Sequence, residues 1–442
     1  MDALAFVDLA DYALSNSQGS LMNRLAMAVT VFLLATPAVS RAAGFYLYEI
    51  GTPSVGLASA GYTTRAGDAE TLFTNPAGMS LLEKHELLVG AQLLYGNFTF
   101  SPGPGTTPSG GNGGNAVGVL PGGSLFFVAD VAPKVRVGLG VAQYFGSALQ
   151  YDPGWVGRYY GQKGLLLGVS FLPTASYKIT DWLSVGGGLN LMWGIKRATI
   201  AVNNILPSLA DGQAETNSDT FGIGGNLGIL VEPVKGTRVG FTWLSQVYLP
   251  FSSTPSWSGL GPGLELALGR TGLLGAKIDL GMTLPNRLML GVRQEIGPEW
   301  AVMADLGWES WSQYGEVEVS VNTPNPTSLT TAIPYKDTWH VAAGAQWKAI
   351  PQWTFSGGFA FDSSIMNDAD RTVFTPVGAA WRFSLGAQWQ TSDAVQLGLA
   401  NTFIVGGNLP LSQSRGPLAG TVEGQYSGTV MNMLAFNVRW LI

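Results

Sequence analysis

The chain has 442 residues and a formal net charge of −6, with 29 Asp and Glu against 23 Lys and Arg. Charged residues make up 12%, about half the share of a soluble domain, and the acidic balance argues against a nucleic-acid-binding surface. Cysteine is absent, which excludes disulfides and thiolate metal sites and suits a protein that crosses an oxidising compartment.

Residues 22–42 read MNRLAMAVTVFLLATPAVSRA. Arg24 gives a basic start, Leu25–Leu34 an apolar core, and Ser40-Arg41-Ala42 a small-x-small end. This is the pattern of an export signal that starts at Met22 and is cleaved after Ala42. Residues 1–21 are acidic where a signal is basic, and are read as an upstream extension. No later apolar run reaches the roughly 18 residues that a membrane helix needs. Few charges, 60 Gly and 11% aromatics fit a transmembrane β-barrel, whose apolar residues are spread at period two.

The next segment, 43–84, has no clear period. Its stretch GDAETLFTNPAGMSLL, residues 67–82, is rich in turn signals around Asn75-Pro76-Ala77-Gly78. Alternation begins at His85. In RLMLGVRQEI (287–296), Leu288, Leu290 and Val292 share one face and Arg287 and Arg293 the other. In DTWHVAAGAQWK (337–348), Trp339, Val341 and Trp347 oppose His340, Gln346 and Lys348. In MLAFNVRWLI (433–442), Leu434, Phe436, Val438 and Trp440 oppose Asn437 and Arg439. An apolar face opposite a polar one suits a strand between lipid and a polar lumen.

Strands are expected near 85–100, 122–131, 135–147, 164–179, 182–201, 220–233, 237–252, 274–297, 299–320, 336–348, 352–363, 380–391, 393–406 and 427–442. About fourteen is an even number, as closed bacterial barrels have. Connections alternate between tight turns (Ala132–Lys134, Gly297-Pro298, Thr391-Ser392) and long segments (101–121, 148–163, 202–219, 253–273, 321–335, 364–379, 407–426). That is the asymmetry of periplasmic turns and extracellular loops. Trp182, Trp243, Trp300, Trp339, Trp347, Trp353, Trp389 and Trp440 fall near strand ends, where interfacial girdles lie. The expected fold is an all-β, fourteen-stranded antiparallel barrel over 85–442. Segment 43–84 has no natural place except inside it.

AGFYLYEIGTPSVGLASAGYTTRAGDAETLFTNPAGMSLL (43–82) resembles the mature N-terminus of the outer-membrane long-chain fatty acid transporter family (FadL type), which also includes channels for aromatic hydrocarbons. The shared residues are Ala43-Gly44-Phe45, Glu49, Gly56 through Gly61, Asp68-Ala69 and Asn75-Pro76-Ala77-Gly78. GWVGRYYG (154–161), LPNRLMLG (284–291), WAVMADLGWESWSQY (300–314), YKDTWHVAAGAQW (335–347) and WTFSGGFAFDSS (353–364) resemble later family blocks in the same order. The chain departs from the pattern at Ser363-Ser364, where a proline is often found, and at its last residue, Ile442, where an aromatic is usual.

The resemblance implies a barrel plugged by an N-terminal hatch, 43–84, in the Gram-negative outer membrane. It also implies passive uptake of hydrophobic molecules through a ligand-gated, laterally opening path. It places Lys336 in the ligand pocket, as a cation for a carboxylate; a routine lumen charge is the alternative. Arg158 and Arg197 are further cation candidates, and Phe45 is expected to touch the ligand. Asn75, Pro76, Ala77 and Gly78 are expected to form the gate, with Asn75 satisfying backbone groups of a kinked strand. Apolar loop surface at Leu206–Leu209 and Leu260–Leu274 serves either ligand capture or loop packing.

The only histidines, His85 and His340, lie near no serine nucleophile motif, and no HExxH, P-loop or metal-ligand cluster is present. No enzyme activity, cofactor or metal is expected. The expected partners are a hydrophobic small molecule, outer-membrane lipid and lipopolysaccharide, with no nucleic acid, and the chain is expected to be a monomer. The alternatives are an aromatic-hydrocarbon channel of the same family and a structural or adhesive surface barrel.

Overall fold

The computed structural model describes residues 46–442 apart from 205, 207 and 323–326. The expected export signal, its expected cleavage point and Phe45 lie outside the described residues. Fourteen strands form the wall, each hydrogen-bonded antiparallel to its neighbour in sequence. They are β1 (Glu86–Asn97), β2 (Gly118–Ala132), β3 (Val135–Gln150), β4 (Lys163–Lys178), β5 (Leu183–Val202), β6 (Gly212–Val234), β7 (Thr237–Leu244), β8 (Arg287–Ile296), β9 (Trp300–Glu309), β10 (Thr338–Ile350), β11 (Trp353–Asp362), β12 (Ala380–Gln390), β13 (Val395–Ser414) and β14 (Thr421–Leu441). β1 also pairs with β14, from Glu86↔Leu441 to Asn97↔Val430, so the sheet closes. Closure removes the free edges that lipid cannot satisfy.

The faces alternate as the sequence requires. Leu434, Phe436 and Trp440 are exposed outward, while Asn437 is buried inward. Trp339 and Val341 are exposed on either side of His340, which is 1% exposed. At the rim of the tight turns, Trp300 stacks on Trp347 and Trp353 on Trp389 across neighbouring strands, as in an interfacial girdle. Gly236 and Gly297 take left-handed φ values of 85° and 65° at two of those turns, where a side chain would be strained.

Three expected strands are broken. The stretch 237–252 leaves the wall after Leu244, 274–297 is interrupted at Pro285-Asn286, and 299–320 at Ser310. Pro285 has no N–H to offer a ladder. Asn286 takes over locally: its Oδ1 accepts from Gln246 N (3.1 Å) and Trp243 Nε1 (3.2 Å), and its own N–H donates to Ser310 Oγ (2.9 Å). Beyond these breaks the chain builds a second, four-stranded sheet from Val247–Ser253, Lys277–Leu284, Glu316–Asn322 and Thr327–Ala332. It lies against the inner wall. Gly222 and Gly224 on β6 leave room for Val247 and Leu249, while Phe221 and Ile223 point outward.

Two loops are shorter than expected. β6 begins at Gly212 rather than near 220, and the β13–β14 hairpin runs on to Ser414 and Thr421. Cross-strand pairing carries both past the alternating stretch used to place them. Among the described residues no helix is long and apolar enough to cross a membrane.

Candidate functional site at the seat of the N-terminal segment

Residues 46–82 run along the inner faces of the strands. They contain two single-turn helices, α1 (Thr52–Val55) and α2 (Thr71–Thr74), and a 3-10 turn at Pro76–Leu81. Short helices follow from the sequence, because Gly51, Gly56, Gly61, Pro53 and Pro76 interrupt every run. The segment meets the wall on many strands, and wall glycines make the room. A Cβ at Gly358 (β11) would overlap the carbonyl of Leu57, one at Gly240 (β7) the carbonyl of Thr63, and one at Gly186 (β5) the Pro76–Ala77 peptide. A Cβ at Gly228 (β6) would overlap Asn75 Oδ1.

Asn75 holds three backbone groups. Its Nδ2 donates to Thr63 O (2.6 Å) and to Ile229 O on β6 (3.1 Å), and its Oδ1 accepts from Ala77 N (3.1 Å). Pro76 and Ala77 rest on β5, and Gly78 leaves space for Thr71 Oγ1. A bulge does interrupt a strand, at Gln143–Phe145 of β3. The residues paired with it are Tyr46 and Leu47, with Leu47 N donating to Tyr144 O at 2.7 Å.

Buried charges tie the segment down. Arg382 (β12) donates to Glu49 through Nη1 and to Asp362 (β11) through Nε, at 2.6 Å for the latter. Asp362 also meets His340 Nδ1 at 2.6 Å, and His340 Nε2 meets Ser59 Oγ at 2.8 Å. Arg287 (β8) pairs with Glu309 at 2.7 Å and lies under the rings of Tyr46 and Tyr48. Asp305 (β9) accepts from Thr63 N and Oγ1 at 3.0 and 2.9 Å, and from Gly61 N. Within the segment, Arg65 bridges Asp68 and Glu70. Burial lifts the Glu70 carboxyl to about 7, against the pull of Arg65.

Ser59, His340 and Asp362 are spaced like a hydrolase triad. The neighbouring amides are committed elsewhere: Ser59 N to Ser54 O, Ala60 N to Leu57 O and Gly61 N to Asp305. Among the described residues these three amides are therefore not free to stabilise an oxyanion at Ser59 Oγ, and Ser59 is fully buried. The chain of contacts therefore joins segment to wall. The sequence reading missed this cluster because the segment and the strands it meets are hundreds of residues apart, 242 positions for Thr63 and Asp305 and 333 for Glu49 and Arg382. Charged residues on the inward parity of wall strands were its available signal.

The proposed ligand cations do not converge. Lys336 is exposed at the loop before β10 and bonds Asn367 Oδ1 through Nζ. Arg158 pairs with Asp211 at 2.6 Å and lies over the Tyr159 ring. Arg197 pairs with Asp219 at 2.5 Å on the half-exposed side of β5. In the loops, Leu206 and Leu266 are exposed while Leu264, Leu268 and Leu273 are buried. The apolar stretch thus divides between packing and surface. No cluster of acidic and histidine side chains suited to a metal occurs among the described residues.

Comparison with known proteins agrees with this architecture. A long-chain fatty acid transport protein of Escherichia coli O6:H1 is 24% identical over 438 residues, covering 92% of this chain and 97% of that protein. The crystal structure of a Pseudomonas aeruginosa FadL homologue superposes with a TM-score of 0.81 at 20% identity, covering 90% of this chain and 99% of that one. The toluene transporter TodX of Pseudomonas putida gives a TM-score of 0.67 at 16% identity, covering 91% and 99%. The family model described as outer membrane protein transport protein (OMPP1/FadL/TodX) matches residues 32–439. The chain belongs to that family, and it is a β-barrel of the outer membrane.

Proposed function

We propose that this protein is a passive outer-membrane channel for long-chain fatty acids or similar hydrophobic compounds, with residues 43–84 as a hatch that a ligand displaces. The observation that carries this reading is the seat of the N-terminal segment. Glycines on at least four wall strands let its backbone lie against the barrel, so the bore is occupied by a separate, hydrogen-bonded element. An occupied bore is wrong for a general water-filled pore and right for a gated one.

In this reading, capture begins at the exposed leucines of the loops, Leu206 and Leu266, which offer apolar contact in an otherwise polar layer. Lys336, exposed on the loop side, meets a carboxylate first. Phe45, near the start of the hatch in sequence, is the residue proposed to touch the ligand. The stretch Asn75-Pro76-Ala77-Gly78 acts as the gate, because it grips the wall at β5 and β6. Release is sideways into the membrane, which spares an apolar ligand the aqueous periplasm. The relatives include both a fatty acid transport protein and a toluene transporter. The fatty acid reading is preferred because cations stand at the loop end, and a hydrocarbon has no use for them.

The test is uptake by cells whose own transporter of this type is deleted. Expression should restore oleate uptake, and Lys336→Ala should lower it several-fold while leaving toluene uptake intact. Restored toluene uptake without oleate uptake would favour the hydrocarbon channel. Uptake of neither compound would leave an adhesive barrel as the better reading.

A further inference from the structure

We infer that the outward face of β13 and β14 is an interface at which two copies of this chain meet in the membrane, joined through the side-chain amides of Asn401 and Asn432. The inference goes beyond the proposed uptake and holds whichever compound is carried. It sets a dimer against the monomer expected from the sequence.

Both asparagines stand on the lipid side of the wall. On β13, Leu399 and Phe403 are exposed outward while Ala400 and Thr402 are buried, so Asn401 shares the outward face. On β14, Leu434 and Phe436 are exposed while Met431 and Met433 are buried, which turns Asn432 outward as well. Both amides are partly exposed. Asn401 lies halfway between Leu397 and Val405, the ladder partners of Trp389 and Trp381. Those tryptophans face outward near the turn end and the loop end of β12. They bound the apolar band of the wall, so the amides of an isolated barrel would be surrounded by hydrocarbon.

The two amides close on each other, but not completely. Asn401 Nδ2 donates to Asn432 Oδ1 (2.9 Å) and to Met433 O (3.2 Å), and Asn432 Nδ2 donates to Asn401 Oδ1 (3.0 Å). Each amide has two N–H groups and two lone pairs on its oxygen. One N–H of Asn432 and one lone pair on each oxygen are left without a partner among the described residues. A polar group left over in hydrocarbon is costly, and acyl chains offer nothing to bond. A wall that met only lipid would be better served by leucine at both positions.

The occupant best matched to this patch is the patch itself. All copies sit in the membrane in one orientation, so a two-fold axis relating two of them runs along the membrane normal. Such an axis keeps every residue at its own depth and brings a residue near it to face its own copy. A cation or a carboxylate would repel its copy there. An amide carries donors and acceptors together, so the leftover groups of one chain meet those of the other, as polar side chains join segments within membranes. The surrounding surface is apolar and uneven. Leu385 of β12, the ladder partner of Asn401, is 74% exposed, the highest value among the large apolar side chains described. It projects beside amides that their mutual bonds hold against the wall, and leaves a ridge next to a dip.

The experiment uses single cysteines, which report proximity cleanly because the chain has none of its own. Leu434→Cys lies beside both amides. Leu227→Cys, at an exposed outward position on β6 across the barrel, is the control. Outer membranes of expressing cells are oxidised, and the covalent species are separated by mass. Leu434→Cys should give a dimer of this chain well above the control. Adding Asn401→Leu and Asn432→Leu to Leu434→Cys should lower that dimer about three- to tenfold, the worth of a hydrogen bond or two within a membrane, with heat-modifiable mobility showing that the barrel is folded. Leu434→Cys alone decides the interface, whatever becomes of the leucine variant: a dimer no stronger than that of Leu227→Cys overturns it. A dimer unchanged by the two leucines overturns the amides as its junction. A covalent species with a different protein, in place of the dimer, overturns the second copy as the occupant.

Discussion

Arg382 on β12 reaches Glu49 of the N-terminal segment across 333 positions of sequence, with Nη1 at 2.7 and 2.5 Å from the two carboxylate oxygens. Both side chains are buried, and Nε of the same arginine holds Asp362. One guanidinium thus fixes a wall carboxylate and a segment carboxylate at once. Glu49→Ala would free one side of this junction. Orphaning a buried charge costs about 3–5 kcal/mol; because Asp362 stays in place, the expected loss is about 2–3 kcal/mol. Hydrogen–deuterium exchange across residues 46–60 should accelerate in the variant while exchange in strands β4 and β5 holds. Uniform acceleration would mean that the pair stabilises the barrel rather than the segment.

Asn75 is the other fastening. Its side chain satisfies Thr63 O, Ile229 O and Ala77 N together. Asn75→Asp keeps the size and the acceptor for Ala77 but turns a donor toward two carbonyls into a second acceptor. The expected cost is about 2–3 kcal/mol, from two unsatisfied carbonyls and a buried charge. Cells carrying Asn75→Asp should become more permeable to a hydrophilic antibiotic. Asn75→Ala should do so more weakly, since it leaves no repulsion behind. Equal permeability in both and in the parent would remove Asn75 from the gate.

The glycines of the seat can be tested separately from the charges. At Gly358 a methyl group would collide with the backbone of Leu57, which cannot swing aside as a side chain could. Gly358→Ala should therefore displace the segment, at about 1–3 kcal/mol by the usual cost of overpacking. Gly297→Ala is the control. It lies at a turn with open space around the Cβ position and costs only the left-handed backbone. Permeability should rise for the first variant and not for the second.

These contacts also show where reading the sequence stops. The wall was legible because alternation is local: Leu434, Phe436 and Trp440 against Asn437 and Arg439 announce two faces within ten residues. Pro285 carries a local signal for the break, yet 274–297 is expected as one strand. That the hairpin beyond it would turn inward depends on Asn286 bonding Gln246 and Ser310, residues about 40 and 24 positions away. The loop 202–219 was read as too long because Gly212–Asp219 does not alternate cleanly, yet its pairing with β5 holds it in a ladder. Local pattern shows only the wall half of the fastening cluster, as charges on the inward parity of strands. Ser59, His340, Asp362 and Arg382 acquire meaning only when the closed barrel brings β10, β11 and β12 past the segment. Arg197 is named as a cation candidate, yet parity places its neighbour Lys196, not Arg197, on the inward face.

Acidity should tighten the segment, through Glu70. Its Oε1 accepts from Ser54 Oγ (2.5 Å) and Gly51 N (3.0 Å), and its Oε2 meets Arg65 Nη2 at 2.8 Å. Burial disfavours the ionised form and outweighs Arg65, so the folded carboxyl titrates near 7 rather than at its ordinary 4.5. A folded value above the unfolded one means that the folded segment binds the proton more tightly. The stabilisation is complete below pH 4.5 and is lost as pH rises to about 7, with no further loss above. Asp68 does not cancel this in the same window: burial raises it, but Arg65 beside it holds it below its ordinary value, so its own contribution fades only in stronger acid. Amide protection over residues 51–74, corrected for the intrinsic exchange rate, should therefore fall between pH 5 and pH 7.5 and then level. Glu70→Gln removes this group and should give a clearly shallower profile over the same range, the remainder coming from the buried carboxyls that bond the segment's amides, Asp305 at Gly61 and Thr63 and Glu86 at Ala69. A slope unchanged in Glu70→Gln would assign the pH response to another group.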